Sequence, residues 1–303
     1  MTTQDLYPTR VSHRPAMIPR KLDPTVYGQA EDGPLNRQQL TGHSQDGFTS
    51  IDKLLTDSEL RSAQQELRSL LTDPRLDGDE RVVREKNSQE IRSIFDIHHI
   101  SEEFRRLIDD ERLAGVARQI LGSQVYIHQS RVNYKPGFGG NSFYWHSDFE
   151  TWHAEDGMPR MRAVSLSIAL TDNYDYNGSL MIMPGSHRTF VSCVGDTPEG
   201  YYRTSLQEQE IGTPDTASLR ALADRHGIRQ FTGPAGSGLW FDANCMHGSN
   251  GNITPYPRSN LFIVFNSVEN ALVEPFAAPQ PRPTYLGART VEPIGSPTKA
   301  MAS

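Results

Sequence analysis

His146 and Asp148 stand at i and i+2 inside the run Phe143-Tyr-Trp-His-Ser-Asp-Phe-Glu-Thr-Trp-His153. If that run is extended, both side chains project from one face. An imidazole beside a carboxylate supplies two of the three donors of a facial metal site. A third donor of the right kind, His247, comes much later, in Phe241-Asp-Ala-Asn-Cys-Met-His-Gly-Ser249. Two imidazoles and one carboxylate on one side of an ion leave positions open on the other, which suits ferrous iron and oxygen chemistry. A His-X-Asp pair alone arises readily by chance, and most such pairs only hydrogen-bond. Ser249 and Arg258 change that reading, because an arginine on the next strand can fork onto a carboxylate beside the metal. The run is also too rich in Trp, Tyr, Phe and His for a solvated loop.

The pattern His146-X-Asp148, His247 and Arg258 resembles the iron and 2-oxoglutarate signature of the phytanoyl-CoA-hydroxylase-like dioxygenases. The longer run Trp145-His-Ser-Asp-Phe-Glu-Thr-Trp-His-X-Glu-Asp-Gly-X-Pro-X-X-Arg162 is similar to that of the ectoine hydroxylases within that group. The likeness continues through Asn177-Gly-Ser-Leu-Met-Ile-Met-Pro-Gly-Ser-His187 and covers nearly the whole chain, with no departure at a metal or 2-oxoglutarate position. It implies hydroxylation of ectoine to 5-hydroxyectoine, with Fe(II) as cofactor, 2-oxoglutarate and O2 as cosubstrates, and succinate and carbon dioxide as coproducts. It also implies a homodimer, and substrate contacts at Gln129, Thr151, Trp152, Phe265 and Arg282.

The residues themselves allow these roles. His146, Asp148 and His247 would hold the iron. Arg258 would grip the distal carboxylate of 2-oxoglutarate, with Ser249 adding a hydroxyl; the bland alternative is a surface salt bridge. Asn133 and Lys135 lie on the same candidate strand and could help bind the cosubstrate, although a lone lysine is usually solvated. Trp152 and Phe265 offer π faces to a delocalised cation, but core packing explains a single aromatic as well. Arg282 could pair with a substrate carboxylate if the Pro-rich tail folds over the site. His153, Glu155 and Asp156 are read as loop-fixing groups, because a fourth protein ligand would block a position that oxygen needs. His187 shapes a turn. Two other functions fit the same residues: the same chemistry on another small polar molecule such as an amino acid, or a non-redox metal-binding cupin.

The elements that must position these groups change character along the chain. Residues 1–45 carry five prolines amid polar residues and read as an irregular arm. Thr56-Asp-Ser-Glu59 is a capping box, and Leu60, Ala63, Leu67, Leu70 and Leu71 follow at helical spacing. Residues 74–90 are charged and read as a loop. Ser101-Glu-Glu opens a second helix running to Gly122. The period then becomes two: Val125–Tyr134, Ala163–Leu170, Ser179–Met183, Leu239–Asp242 and Leu261–Val268 read as strands. On Ala163–Leu170 one face is aliphatic and the other small, which leaves room for a ligand. Residues 192–227 read as an insertion with a helix near Thr216–Ala223. Helices followed by many short strands argue for a mainly β protein with helical support, a double-stranded β-helix or cupin-like jelly roll. One domain spans 46–290, and 291–303 is a tail.

Composition bounds the rest. The 303 residues suffice for a full core, and a net charge of −7 gives no basic footprint for nucleic acid. Cys193 and Cys245 are too few for a disulfide framework, so free thiols in a reducing compartment are expected. No secretory pattern and no membrane-length apolar run is visible, and the chain reads as cytoplasmic.

Overall fold

The computed structural model describes residues 4–86 and 88–295. Thirteen strands run in chain order: β1 Ala16–Pro19, β2 Phe48–Ile51, β3 Val82–Arg84, β4 Ile91–Phe95, β5 Val125–Lys135, β6 Phe143–His146, β7 Ala163–Ala169, β8 Leu180–Ile182, β9 Thr189–Ser192, β10 Arg229–Phe231, β11 Gly238–Asp242, β12 His247–Ser249 and β13 Arg258–Ser267. The helices are α1 Arg37–Asp46, α2 Asp57–Leu71, α3 Ile97–Ile100, α4 Glu102–Ile108, α5 Glu111–Leu121, α6 Asp148–Thr151, α7 Tyr202–Ser205 and α8 Thr216–His226.

Two sheets form the jelly roll. The larger has the order β2-β11-β7-β13-β5-β4-β3 and the smaller β10-β8-β12-β6, with all neighbours antiparallel. Helices α2, α4 and α5 cover the outer face of the large sheet. Ala63, Leu67, Phe104, Ile108, Leu113 and Ile120 pack there against Val164, Leu166, Ile168, Leu261 and Ile263. The aliphatic face of Ala163–Leu170 thus meets the helices, and its small face looks between the sheets.

Local chemistry explains the ends of these elements. Thr56 and Glu59 cap each other at the start of α2, as the sequence indicates. Asp109 and Asp110 interrupt the expected second helix: Asp110 accepts from the Arg112 amide and starts α5 afresh, so one segment becomes α4 and α5. Gly122 ends α5 in the left-handed conformation at φ 60°.

The N-terminal segment departs most from expectation. Asn36 and Gln39 form a capping box, and residues 37–45, expected to be irregular, belong to the helix that ends at Asp46. The sequence hid this helix because Leu40 and His43 are its only buried residues. β1 pairs with β9, so the preceding stretch is also built into the fold. Residues 74–90 contain β3 rather than loop alone. Of the tail 291–303, residues from 296 lie outside the described residues; before that, Ile294 donates to the Val125 carbonyl at 2.9 Å and packs into the main core.

Candidate active site

The metal-ligand candidates meet through strand pairing. β12 lies beside β6 in the small sheet with His247 directly opposite His146. Their rings stand 4.3 Å apart between centroids. Asp148 reaches them differently from the extended expectation: β6 ends at His146, and Asp148 is the first residue of α6. The Phe149 amide donates to the Ala243 carbonyl at 2.9 Å and ties that turn to the chain just before His247. The Asp148 carboxylate then lies 3.7 Å from His146 Nε2 and 3.8 Å from His247 Nε2. The three candidate ligand atoms all lie within 4.8 Å of one another.

Hydrogen bonding prepares both imidazoles as ligands. His146 Nδ1 meets the Tyr144 carbonyl at 2.6 Å, and His247 Nδ1 meets the Cys245 carbonyl at 2.9 Å. A carbonyl only accepts, so each Nδ1 carries the proton and each Nε2 presents a lone pair inward. Burial and the neighbouring His146 bring the pKa of His247 down to about 4, so it is neutral near pH 7. Burial pushes Asp148 upward, but His247, His146 and Arg131 outweigh it and hold the carboxyl well below its usual range. Imidazole nitrogens and an ionised carboxylate are the donor set that a ferrous ion takes.

Beside the triad lie two buried basic side chains, Arg258 and Lys135. Arg258 faces Lys135 across the β13–β5 ladder. Arg258 Nη1 donates to the Gly178 carbonyl at 2.9 Å, and among the described residues no acceptor meets its Nε or Nη2. Burial alone lowers its pKa to about 10, so it remains charged. Lys135 Nζ donates to Ser249 Oγ at 3.0 Å and to the Asn250 carbonyl at 2.5 Å. Burial first, then Arg258 and Arg92, lower the Lys135 pKa well below its ordinary value. A desolvated guanidinium and a buried amine, with donors to spare, form a socket for an anion brought from outside. The expected contributors Ser249 and Lys135 are therefore at this socket. Asn133 lies further along β5 and accepts from Ser93 Oγ at 2.9 Å.

A cleft of about 570 Å³ opens over His146 and Asp148. Gln129, Asn133, Thr151, Trp152 and Arg282 line it. Gln129 Nε2 donates to the Leu286 carbonyl at 2.6 Å, and Trp152 stands edge-on to His128 at 5.1 Å. Arg282 forks onto Asp156 through Nε at 2.7 Å and Nη2 at 2.6 Å, so the Pro-rich tail does fold over the site. Asp156 lies in the π turn Trp152–Asp156 that continues α6. Gly157 closes this turn at φ 83°, where a Cβ would come 2.0 Å from the Val273 carbonyl oxygen. His187 sits in the short turn before β9, as expected.

Phe265 is not brought to the cleft. It pairs with Val164 on β7 and stacks on Trp240 at 5.6 Å, within the core under the helices. Side chains alternate along β13, and Phe265 shares parity with Leu261 and Ile263 rather than with Arg258. Arg131 is the residue that sequence reasoning missed. It lines the cleft, lies over Phe262 at 4.9 Å and donates to Gln129 Oε1. It stands between Gln129 and Asn133 at the same strand parity, which was the available signal. Also missed was the wall formed by Ser205–Glu210, from which Gln209 donates to Thr151 Oγ1 at 3.3 Å.

The jelly roll, the His-Asp-His cluster and the cation socket together describe a metal-dependent oxygenase site. The chain belongs to the phytanoyl-CoA dioxygenase family, whose model matches residues 44–260. It is 59% identical to the ectoine dioxygenase of Nocardia farcinica over 96% of this chain and 95% of that one. It is 58% identical to the ectoine dioxygenase of Streptomyces coelicolor over 96% of this chain and 97% of that one. Its fold superposes on crystalline EctD from S. alaskensis, solved with 2-oxoglutarate and 5-hydroxyectoine, with TM-score 0.87 and 48% identity, covering 96% of this chain and 97% of that one.

Proposed function

We infer that this chain is an Fe(II)- and 2-oxoglutarate-dependent dioxygenase that hydroxylates ectoine to 5-hydroxyectoine, with succinate and carbon dioxide as coproducts. The observation that carries the reading is the charged, desolvated Arg258 with free donors, placed beside a His-Asp-His cluster. A metal-binding cupin without redox chemistry has no use for that socket.

His146 Nε2, His247 Nε2 and the Asp148 carboxylate would hold the iron, and bound there it would supply oxygen activation driven by oxidation of 2-oxoglutarate. The protein's own part is placement. Arg258 and Lys135 anchor the distal carboxylate of the cosubstrate, Arg258 by two parallel charge-assisted bonds. The Tyr144 and Cys245 carbonyls keep both imidazoles in the ligating tautomer. Ectoine is a small ring with a delocalised cation and a carboxylate. Trp152 offers its face to the cation, and Gln129, Thr151 and Arg131 offer polar contacts. Arg282 commits Nε and Nη2 to Asp156 and keeps Nη1 for the carboxylate. The Ser205–Glu210 wall limits water over the cleft.

The catalytic unit is assigned to 46–290, with 1–45 as an N-terminal arm, of which residues 4–45 pack upon it, and 291–303 as tail. The resemblance to the ectoine hydroxylases supports a homodimer. Two buried, unpaired cysteines support the reducing cytoplasm. Among the described residues no helix is long and apolar enough to cross a membrane.

Succinate formation with Fe(II), 2-oxoglutarate and a panel of small polar molecules tests this reading. Ectoine should stimulate it most. Stimulation by an amino acid and not by ectoine would change the substrate and keep the chemistry. Tightly held zinc with no 2-oxoglutarate binding would overturn both.

A further inference from the structure

Residues 5–10 run along the turn that carries Asp148. Asp5 Oδ1 meets His153 Nε2 at 3.0 Å, and the Tyr7 ring meets Phe149 edge-on at 5.3 Å. Thr9 Oγ1 donates to Glu150 Oε1 at 2.7 Å. Arg10 completes the series. Its Nε and Nη2 fork onto Glu150 at 2.9 and 2.7 Å, and its Nη1 reaches Glu155 at 2.7 Å. The side chains of Arg10, Glu150 and Glu155 are 0%, 2% and 3% exposed. Arg10 also holds a left-handed backbone conformation, φ 56°, which a non-glycine residue adopts at a cost.

One buried guanidinium shared by two buried carboxylates is a poor source of stability. Desolvation consumes most of the attraction, and apolar packing of similar volume commonly serves as well. Such a knot does fix geometry. Glu150 lies between Asp148 and Thr151, and Glu155 lies in the π turn behind Trp152. Arg10 therefore holds both halves of the segment whose first residue faces the imidazoles and whose middle lines the cleft. The segment's backbone changes from α to π spacing within two turns, so its shape depends on side-chain ties as well as on its own ladder.

We propose that Arg10 is a positioning residue that sets Asp148 against Trp152, and so sets both iron binding and the aim of oxidation at the substrate. This rests on the dioxygenase reading above. It assigns the N-terminal segment a part in the site that the metal and cosubstrate residues do not reveal.

The test is Arg10→Gln with two readouts. One is the anaerobic absorbance titration of Fe(II) and 2-oxoglutarate, which needs no turnover. The other is the ratio of hydroxylated product to succinate. The proposal expects iron binding weakened about tenfold, the range seen when a group supporting a ligand is lost. It also expects a ratio well below that of the wild type, because oxidation fires without a well-placed substrate. A variant that melts earlier yet keeps both readouts would show Arg10 to be a structural tie only, and would overturn the proposal. If Arg10→Gln does not fold, Glu155→Gln takes its place, leaving the Arg10–Glu150 fork intact. A fall in the ratio there supports the proposal, and an unchanged ratio and titration overturn it. A wild type that forms no product from ectoine would remove the substrate reading, while the anaerobic titration would still decide the positioning role.

Discussion

The two faces of the seven-stranded sheet are made by the same strands and share nothing else. On β7, Val164, Leu166 and Ile168 sink into the helical layer. Ser165 and Ser167, between them, look toward the small sheet, where Ser165 Oγ approaches Asp148 Oδ2 at 3.5 Å. β13 repeats the division, with Leu261, Ile263 and Phe265 outward and Arg258, Asn260 and Phe262 inward. β5 places Gln129, Arg131, Asn133 and Lys135 on the inner side. A single step along a strand thus moves a residue from the helix-packed core to the space between the sheets. Substitutions on the two faces should separate cleanly into functional and structural effects.

The largest effect belongs to the inner side. Asp148→Ala removes the only carboxylate of the cluster, so iron-dependent turnover should fall to background while the circular dichroism spectrum stays native. Next comes Arg258→Met. Losing the partner of a buried charge costs about 2–4 kcal/mol, or roughly 30- to 1,000-fold in the 2-oxoglutarate KM. The same change should raise the melting temperature of the metal-free protein, because it deletes an unpaired buried guanidinium. A single substitution with opposite signs in binding and stability is what the inner face demands.

The outer face should behave in reverse. Leu166→Ala leaves a cavity and should cost about 2–5 kcal/mol in denaturant unfolding, with the KM values unchanged. Phe265→Leu decides between the two faces for that residue. It should lower stability by about 1 kcal/mol and leave the ectoine KM alone. A large rise in that KM would place Phe265 against the substrate and contradict the parity of β13.

The smallest effect is protonic. Lys135 has its pKa depressed by burial, so its charged form is disfavoured in the free protein. A bound dicarboxylate favours that charge and raises the pKa again. Between the depressed value and the ordinary lysine value, 2-oxoglutarate binding should therefore take up a proton, and affinity should fall as pH rises through that window. Titration calorimetry in buffers of different ionisation enthalpy measures the uptake. Lys135→Met should abolish it.

Much of this organisation was legible in the residues. His146, Asp148 and His247 declared a metal cluster by type, and the alternation of Ala163–Leu170 declared a two-faced strand. The structure brings together the candidate residues whose spacing along one strand is informative, such as Gln129, Asn133 and Lys135 on β5. The sequence misleads where chemistry at a distance or a change of conformation decides. Asp148 was placed by an assumed strand, and the structure puts it on a helical turn held by the Ala243 carbonyl. The resemblance implies Phe265 at the substrate, whereas its parity with Ile263 puts it in the core against Trp240. Arg131 shares the inward parity of Gln129 and Asn133, and that parity is its only mark in the sequence. α1 lacks an apolar stripe, so only its Asn36–Gln39 cap marked it. Arg10 had no local signal at all, because its carboxylates lie some 140 residues away and only folding brings them together.

Turnover under ¹⁸O₂ with Fe(II), 2-oxoglutarate and ectoine tests the central claim most directly. One labelled oxygen should appear in succinate and one in hydroxyectoine, in equal amounts, with both lost in His247→Ala. Succinate labelled at the same rate with and without ectoine, and no label in ectoine, would contradict it.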